Sequence, residues 1–290
     1  VLIDPTKSIL PSFATATVLA WLLTKLVEFR NLPDDRATQT KTLIRSNDLR
    51  YALATAVATT VSVFLLQDEF ALPTKFWHWL WPVGFVALIG KWIPVLFSGK
   101  TRSSFVCWLT AAIVASWMVV PTWSTLVPGR MTVGILLAVY LSLLALVFEF
   151  ASSLPVTSNE VTRQLVVAIS VTCAFLAAAI AISADLKYGE LAAGVALAIA
   201  GCVLAHGWRL GRGSGMAALV PVAAFLVGTV AFIGVIYPTK PLLRLLPIPF
   251  APLVLPLSLH FFSTDSWRDI ALRYGTFFLV LVPLTLFAVL

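Results

Sequence analysis

Few residues in this chain are equipped for chemistry, and most of those stand in or beside long apolar runs. Lys91 lies well inside one such run and Glu149 near the end of another. A lysine at the bilayer centre costs roughly 2.5–3.5 kcal/mol on insertion scales. Two roles fit Lys91. With about seven residues left before the end of its run, its stem can carry the ammonium to the interface. Alternatively it lends positive charge to a polar cavity on a substrate path.

Glu149 shares its setting with Glu28 and His260, which close two other runs, while Arg50, Arg163 and Arg268 open the runs that follow. Pairing across each turn, Glu149 with Arg163 for example, would staple a helical hairpin. Proton coupling through Glu149 is the sharper alternative, because ionisable groups near lipid either find partners or mark a path.

Prolines give the second signal. Pro247, Pro249, Pro252 and Pro256 interrupt one apolar stretch. Each interior proline removes a backbone donor and clashes with the preceding turn, so an ordinary helix is excluded there. Broken backbone at membrane depth survives only against protein or a water-filled cavity, and in transporters it lines the solute path. These four prolines, with Lys91 and Glu149, are the substrate-path candidates. A shortened helix with an extended approach in the interface is the structural alternative.

A third pattern is Ser46-Asn47-Asp48 before Arg50, Ser158-Asn159-Glu160 before Arg163, and Ser263-Thr264-Asp265 before Arg268. Short polar side chains cap free N–H groups at a helix start, and an acid suits the positive end of the dipole. Glu28, Arg50, Arg163, His260 and Arg268 are therefore cap or ion-pair candidates rather than catalytic ones.

Enzyme signatures are missing. No glycine-rich phosphate loop, zinc-binding His-Glu helix or Ser-His pair occurs within the apolar runs, so no enzyme activity is expected. The cysteines Cys107, Cys173 and Cys202 fall in apolar segments as small hydrophobic residues. A bis-histidine haem would need His206 and His260 face to face. Ordinary polar residues at helix ends explain them as well, and no cofactor and no metal is expected.

These groups must be positioned by helices in lipid. Hydrophobic residues make up 60% of 290 positions and charged residues 11%, against roughly 25% charged in soluble domains. Mean hydropathy is +0.96. The net charge of +7 comes from residues scattered through short loops, which points to membrane orientation and not to nucleic acid. A span needs about 20 apolar residues. Ten stretches qualify, near 9–28, 51–67, 77–98, 104–120, 131–150, 164–183, 190–207, 216–237, 244–262 and 273–290. The fold class expected is an all-α integral membrane protein of about ten transmembrane helices in a single domain over 1–290.

Alternate loops carry unequal positive charge. Twelve Lys and Arg fall on one side, Arg163, Arg268 and Arg273 among them, and six on the other. The positive-inside rule then places both termini outside a bacterial inner (plasma) membrane. Trp77, Trp79, Trp81, Trp117 and Trp123 fit an outer aromatic girdle, and Trp92, Trp108, Trp208 and Trp267 an inner one.

The Ser-led motifs start 112 and 105 residues apart (158 − 46 and 263 − 158). They suggest a parallel repeat of about four helices, with units near 46–157 and 158–262 and a third partial copy over 263–290. Two inverted five-helix halves would instead repeat near residue 145, and nothing recurs there.

Two functions are compatible with this. One is a transporter or permease for a small solute, with a polar cavity at mid-depth reaching the ninth helix. The other is a non-catalytic subunit or scaffold of a larger membrane complex, tightly packed and docking through residues 29–50. The expected partners are the lipid bilayer with either a small-molecule solute or other membrane proteins.

Overall fold

The computed structural model describes residues 6–30, 39–66, 80–96, 101–120, 129–153, 159–207, 216–236, 243–259, 261–262 and 266–290. Within these, the side chains of 6–9, 24–30, 39–48, 94–96, 101–103, 130, 159 and 207 lie outside the description. The described residues form helices: α1 Thr6–Arg30, α2 Gln39–Leu66, α3 Leu80–Leu96, α4 Thr101–Val119, α5 Arg130–Ser153, α6 Asn159–Ser183, α7 Leu186–Gly207, α8 Leu219–Ile236, α9 Val254–Ser258 and α10 Trp267–Val289. Six of them (α2, α5, α6, α7, α8 and α10) have apolar stretches long enough to span a membrane, and shorter apolar stretches lie in α1, α3, α4 and Leu243–Ser258. The chain is a multi-spanning helical membrane protein.

Helix α8 forms the axis. Every residue from Leu219 to Val235 is buried, and α8 touches α2, α3, α5, α6, α7 and the segment before α9. Its one hydroxyl, Thr229, donates to the Phe225 carbonyl at 2.9 Å, so α8 shows no polar face. A helix apolar all round suits a core as well as it suits lipid.

Around this axis lie two groups of helices. In the first, α1 packs on α2 and α7, and α7 on α6. Between helices in lipid the hydrophobic drive is absent, and close approach of small residues replaces it. Ser12, Ala16 and Ala20 put such a stripe on α1, all fully buried. The Ser12 hydroxyl lies 3.2 Å from the Ala58 carbonyl of α2 and 3.0 Å from the Gly194 carbonyl of α7. A Cβ at Gly201 would sit 2.8 Å from the Phe13 carbonyl oxygen and 2.9 Å from the Ala16 methyl, so only glycine fits. In the second group, α3, α4 and α5 pack in chain order, with α3 and α5 also on α8.

Between α8 and α10 the prolines act as anticipated by their chemistry. Residues Leu243–Ser258 form two 3-10 turns, Leu243–Leu245 and Ile248–Leu253, followed by the five-residue α9. Its hydrogen bonds span three residues, as from Leu246 N–H to Leu243 and from Phe250 N–H to Pro247. A proline without N–H cannot continue an α ladder, and the tighter turn keeps what bonds remain.

One expectation needs correction. Helix α2 begins at Gln39, so Ser46-Asn47-Asp48 lies inside the helix rather than at its start, and residues 39–50 are helix rather than loop. Nothing between Gln39 and Arg50 breaks a helix; the apolar-run criterion sees only the part that lipid requires. A four-helix period would also make α4 equivalent to α8. Helix α4 exposes Phe105, Val106, Ile113 and Trp117, whereas α8 is enclosed, so the two have different surroundings and the repeat is not shown.

Candidate functional site

Glu149 stands in the last turns of α5 and Lys91 in the penultimate turn of α3. Ser104 and Trp108 are one turn apart on α4, hence on one face of it. Because neighbouring helices run antiparallel, the ends of α3 and α5 meet the start of α4, and the four side chains converge. Lys91 Nζ lies 2.6 Å from Glu149 Oε1. Ser104 Oγ donates to the same oxygen at 3.2 Å, and Trp108 Nε1 donates to Oε2 at 2.5 Å. Both ionic side chains are largely shielded, at 17% and 19% exposure.

This arrangement satisfies a carboxylate away from water, with a counter-charge and two neutral donors. The Trp108 ring lies 5.8 Å from that of Phe225, which ties the ion pair to the central helix. Lys91 reaches a carboxylate in the protein rather than the interface. The expected Glu149–Arg163 staple is not made. Arg163 pairs with Glu160, three residues earlier on its own helix, at 2.7 Å, where both are exposed. Trp108 is not a girdle residue either, being fully buried, whereas Trp92, Trp117 and Trp267 are exposed.

A second polar centre involves the broken segment. Arg273, in the second turn of α10, is fully buried. Its Nε donates to Ser258 Oγ and its Nη2 to the Leu255 carbonyl, each at 3.2 Å. A helix as short as α9 leaves its carbonyls without intrahelical donors, and a cation at its carboxyl end supplies them. Nη1 of Arg273 is buried with no partner among the described residues. Pro249, Pro252 and Pro256 are buried in this segment and Pro247 is exposed. The segment is also anchored at its start, where Tyr140 of α5 donates to the Leu246 carbonyl at 3.0 Å.

The remaining candidates are dispersed. The Arg50 guanidinium lies 4.9 Å above the Tyr51 ring. The Tyr51 hydroxyl is 3.1 Å from His206 Nδ1. Arg268 is exposed beside Trp267, and Ser266 caps α10 by accepting from the Arg268 N–H at 3.2 Å. The Glu28 side chain and His260 lie outside the described residues. One cavity among the described residues is an apolar groove of about 460 Å3 between α4 and α5, lined by Ile113, Trp117, Met131 and Ile135 among others. It does not reach the broken segment.

No protein-family model matches the chain, and no curated protein matches it. The site must therefore be read from its own atoms. Sequence reasoning picked out Lys91, Glu149 and the prolines but missed Ser104, Trp108 and Arg273. Arg273 was counted among the loop charges. A sign was available, since it falls six residues into α10, on the same helical face as Phe277 and Leu281.

Proposed function

We propose that the protein is a transporter or permease for a small solute, with the Leu243–Ser258 segment as its moving part. The observation that carries this reading is Arg273, a fully buried cation whose hydrogen bonds go to that broken backbone. Broken elements at membrane depth sit where a solute path or a moving joint needs them. Enclosed cations in spans mark such paths by default. The Lys91–Glu149 pair serves as a fixed support among α3, α4 and α5. The reading rests on these two centres and not on a four-helix repeat. The excess of basic residues on one side supports a bacterial inner membrane location with both termini outside.

The test is uptake into vesicles reconstituted with the purified chain, across a panel of solutes that begins with small carboxylates and phosphates. That order follows from the unpartnered Nη1 of Arg273. Uptake by the wild type that is lost in Arg273→Ala, at unchanged elution volume, is the expected result. A second reading, a non-catalytic subunit of a membrane complex, is favoured by the apolar groove between α4 and α5 and by the exposed face of α10. Gentle extraction that yields stoichiometric partners, with no uptake for any solute, would replace the first reading with the second.

A further inference from the structure

Another carboxylate within a span has a setting that is the reverse of that around Glu149. Glu190 lies in the second turn of α7 and is 5% exposed. Its Oε2 has no hydrogen-bond partner among the described residues. The helices packed on α7 are α1, α2, α6 and α8. Lys7, at the start of α1, has its side chain outside the description; among the residues of α1 and α8 whose side chains are described, and in the halves of α2 and α6 nearest Glu190 (56–66 and 170–183), none is charged. Among the described residues, the charged groups in electrostatic reach of Glu190 are Lys187, which opposes its charge, and Asp185, which shares it, both at the turn that precedes it. A buried carboxyl oxygen that no donor reaches can carry a proton without giving up a hydrogen bond.

The facing helix supplies an independent observation. Gly194 stands one turn beyond Glu190 on the same face of α7, and a Cβ there would collide with Ser62 Oγ of α2. Ser62 Oγ and Thr59 Oγ1 are both buried without a partner among the described residues. Thr60, beside them in sequence, satisfies its hydroxyl on the Ala56 carbonyl at 2.8 Å. Hydroxyls in native interiors are almost always hydrogen-bonded. Here two uncommitted ones lie on α2, with Ser62 opposite the turn of α7 that follows Glu190. Further along the same seam come the Thr55–Cys202 contact at 3.3 Å and the Tyr51–His206 contact at 3.1 Å.

We propose that Glu190 is a proton-binding carboxyl, loaded at the amino end of α7, and that it couples proton movement to the solute transport proposed above. The coupling rests on the transport reading; the proton site does not. A proton from bulk water adds to the carboxylate, one O–H bond forms, and no electrons are transferred. The neutral carboxyl can stay in the closed seam, and it returns its proton to water when the seam opens. Glu149, held by Lys91, Ser104 and Trp108, takes no part.

Dicyclohexylcarbodiimide adds to protonated carboxyls in apolar surroundings as a stable acylurea, and mass spectrometry of the whole chain locates it. The expected result is labelling at Glu190 that falls as pH rises, is absent in Glu190→Gln and persists in Glu190→Asp. Label on Glu149, or none on Glu190 at any pH in protein of native elution volume, overturns the site. In vesicles that take up a solute, an imposed pH gradient should drive accumulation in the wild type but not in Glu190→Gln. Accumulation indifferent to the gradient overturns the coupling. A labelled Glu190 in protein that moves no solute keeps the proton site and removes the transport reading.

Discussion

The α3–α4–α5 group and the α1–α2–α7 group face the same problem and solve it differently. Apolar side chains gain little by leaving lipid for one another, so helices need another reason to associate. In the first group that reason is a carboxylate. Glu149 collects an ammonium, a hydroxyl and an indole N–H from two neighbouring helices. In the second it is nearness, because Ser12, Ala16, Gly194 and Gly201 let backbones approach until no side-chain volume is left between them. The first group concentrates its specificity in a few atoms and tolerates large residues around them. The second spreads it over many contacts and tolerates no added atoms.

The comparison is open to direct attack. The largest effect is expected from Glu149→Leu, which strands the Lys91 ammonium and should cost about 3–5 kcal/mol, as removal of one partner of a buried pair does. Adding Lys91→Met should recover most of that loss, since an apolar pair of similar volume needs no partners. Thermal unfolding in detergent, followed by the fraction of monodisperse protein, measures both. If the double variant is as unstable as the single one, the charge is not what holds the first group together.

A smaller loss, about 1–3 kcal/mol, is expected from Gly201→Val, where the added atoms meet α1 backbone. The same assay reads it, and an unchanged midpoint would mean that the second group has slack the geometry does not show. The smallest effect belongs to Leu279→Ala on α10, where the side chain is 75% exposed. A change within about 0.5 kcal/mol is expected there. A loss as large as that of Gly201→Val would identify this face as one that a partner covers.

Much of the architecture was legible because hydrocarbon thickness imposes a length and prolines impose breaks. The apolar stretches matched the observed helices, and the proline-rich stretch failed to be one, for reasons present in the residues themselves. Depth within the bundle was not legible. Of the spanning windows in α8 and α10, 94% of the first and 17% of the second is buried, yet both are simply apolar. Lipid and protein interior ask for the same side chains, so hydropathy cannot rank them. The polar centres were legible only in part. Lys91 and Glu149 stood out as charges in apolar runs. Their meeting depends on which helices are neighbours, and nothing in either run encodes that. Glu190 was hidden by its nearness to Asp185 and Lys187, which made it look like part of a polar turn. Trp108 was hidden among interface tryptophans.

The position of α8 in the chain bears on how the protein is made. The helices it touches include α2, α3, α5, α6 and α7, all of which leave the ribosome before it does. At about 5–20 residues per second, the 170 residues between Leu66 and Ile236 take roughly 10–30 s to synthesise. During that interval the inward faces of the earlier helices have no axis to close on, and lipid or an insertion factor must occupy the gap. The order of the helices thus makes α8 the keystone of assembly, with a nascent chain that stays unfinished in the bilayer until its eighth helix arrives.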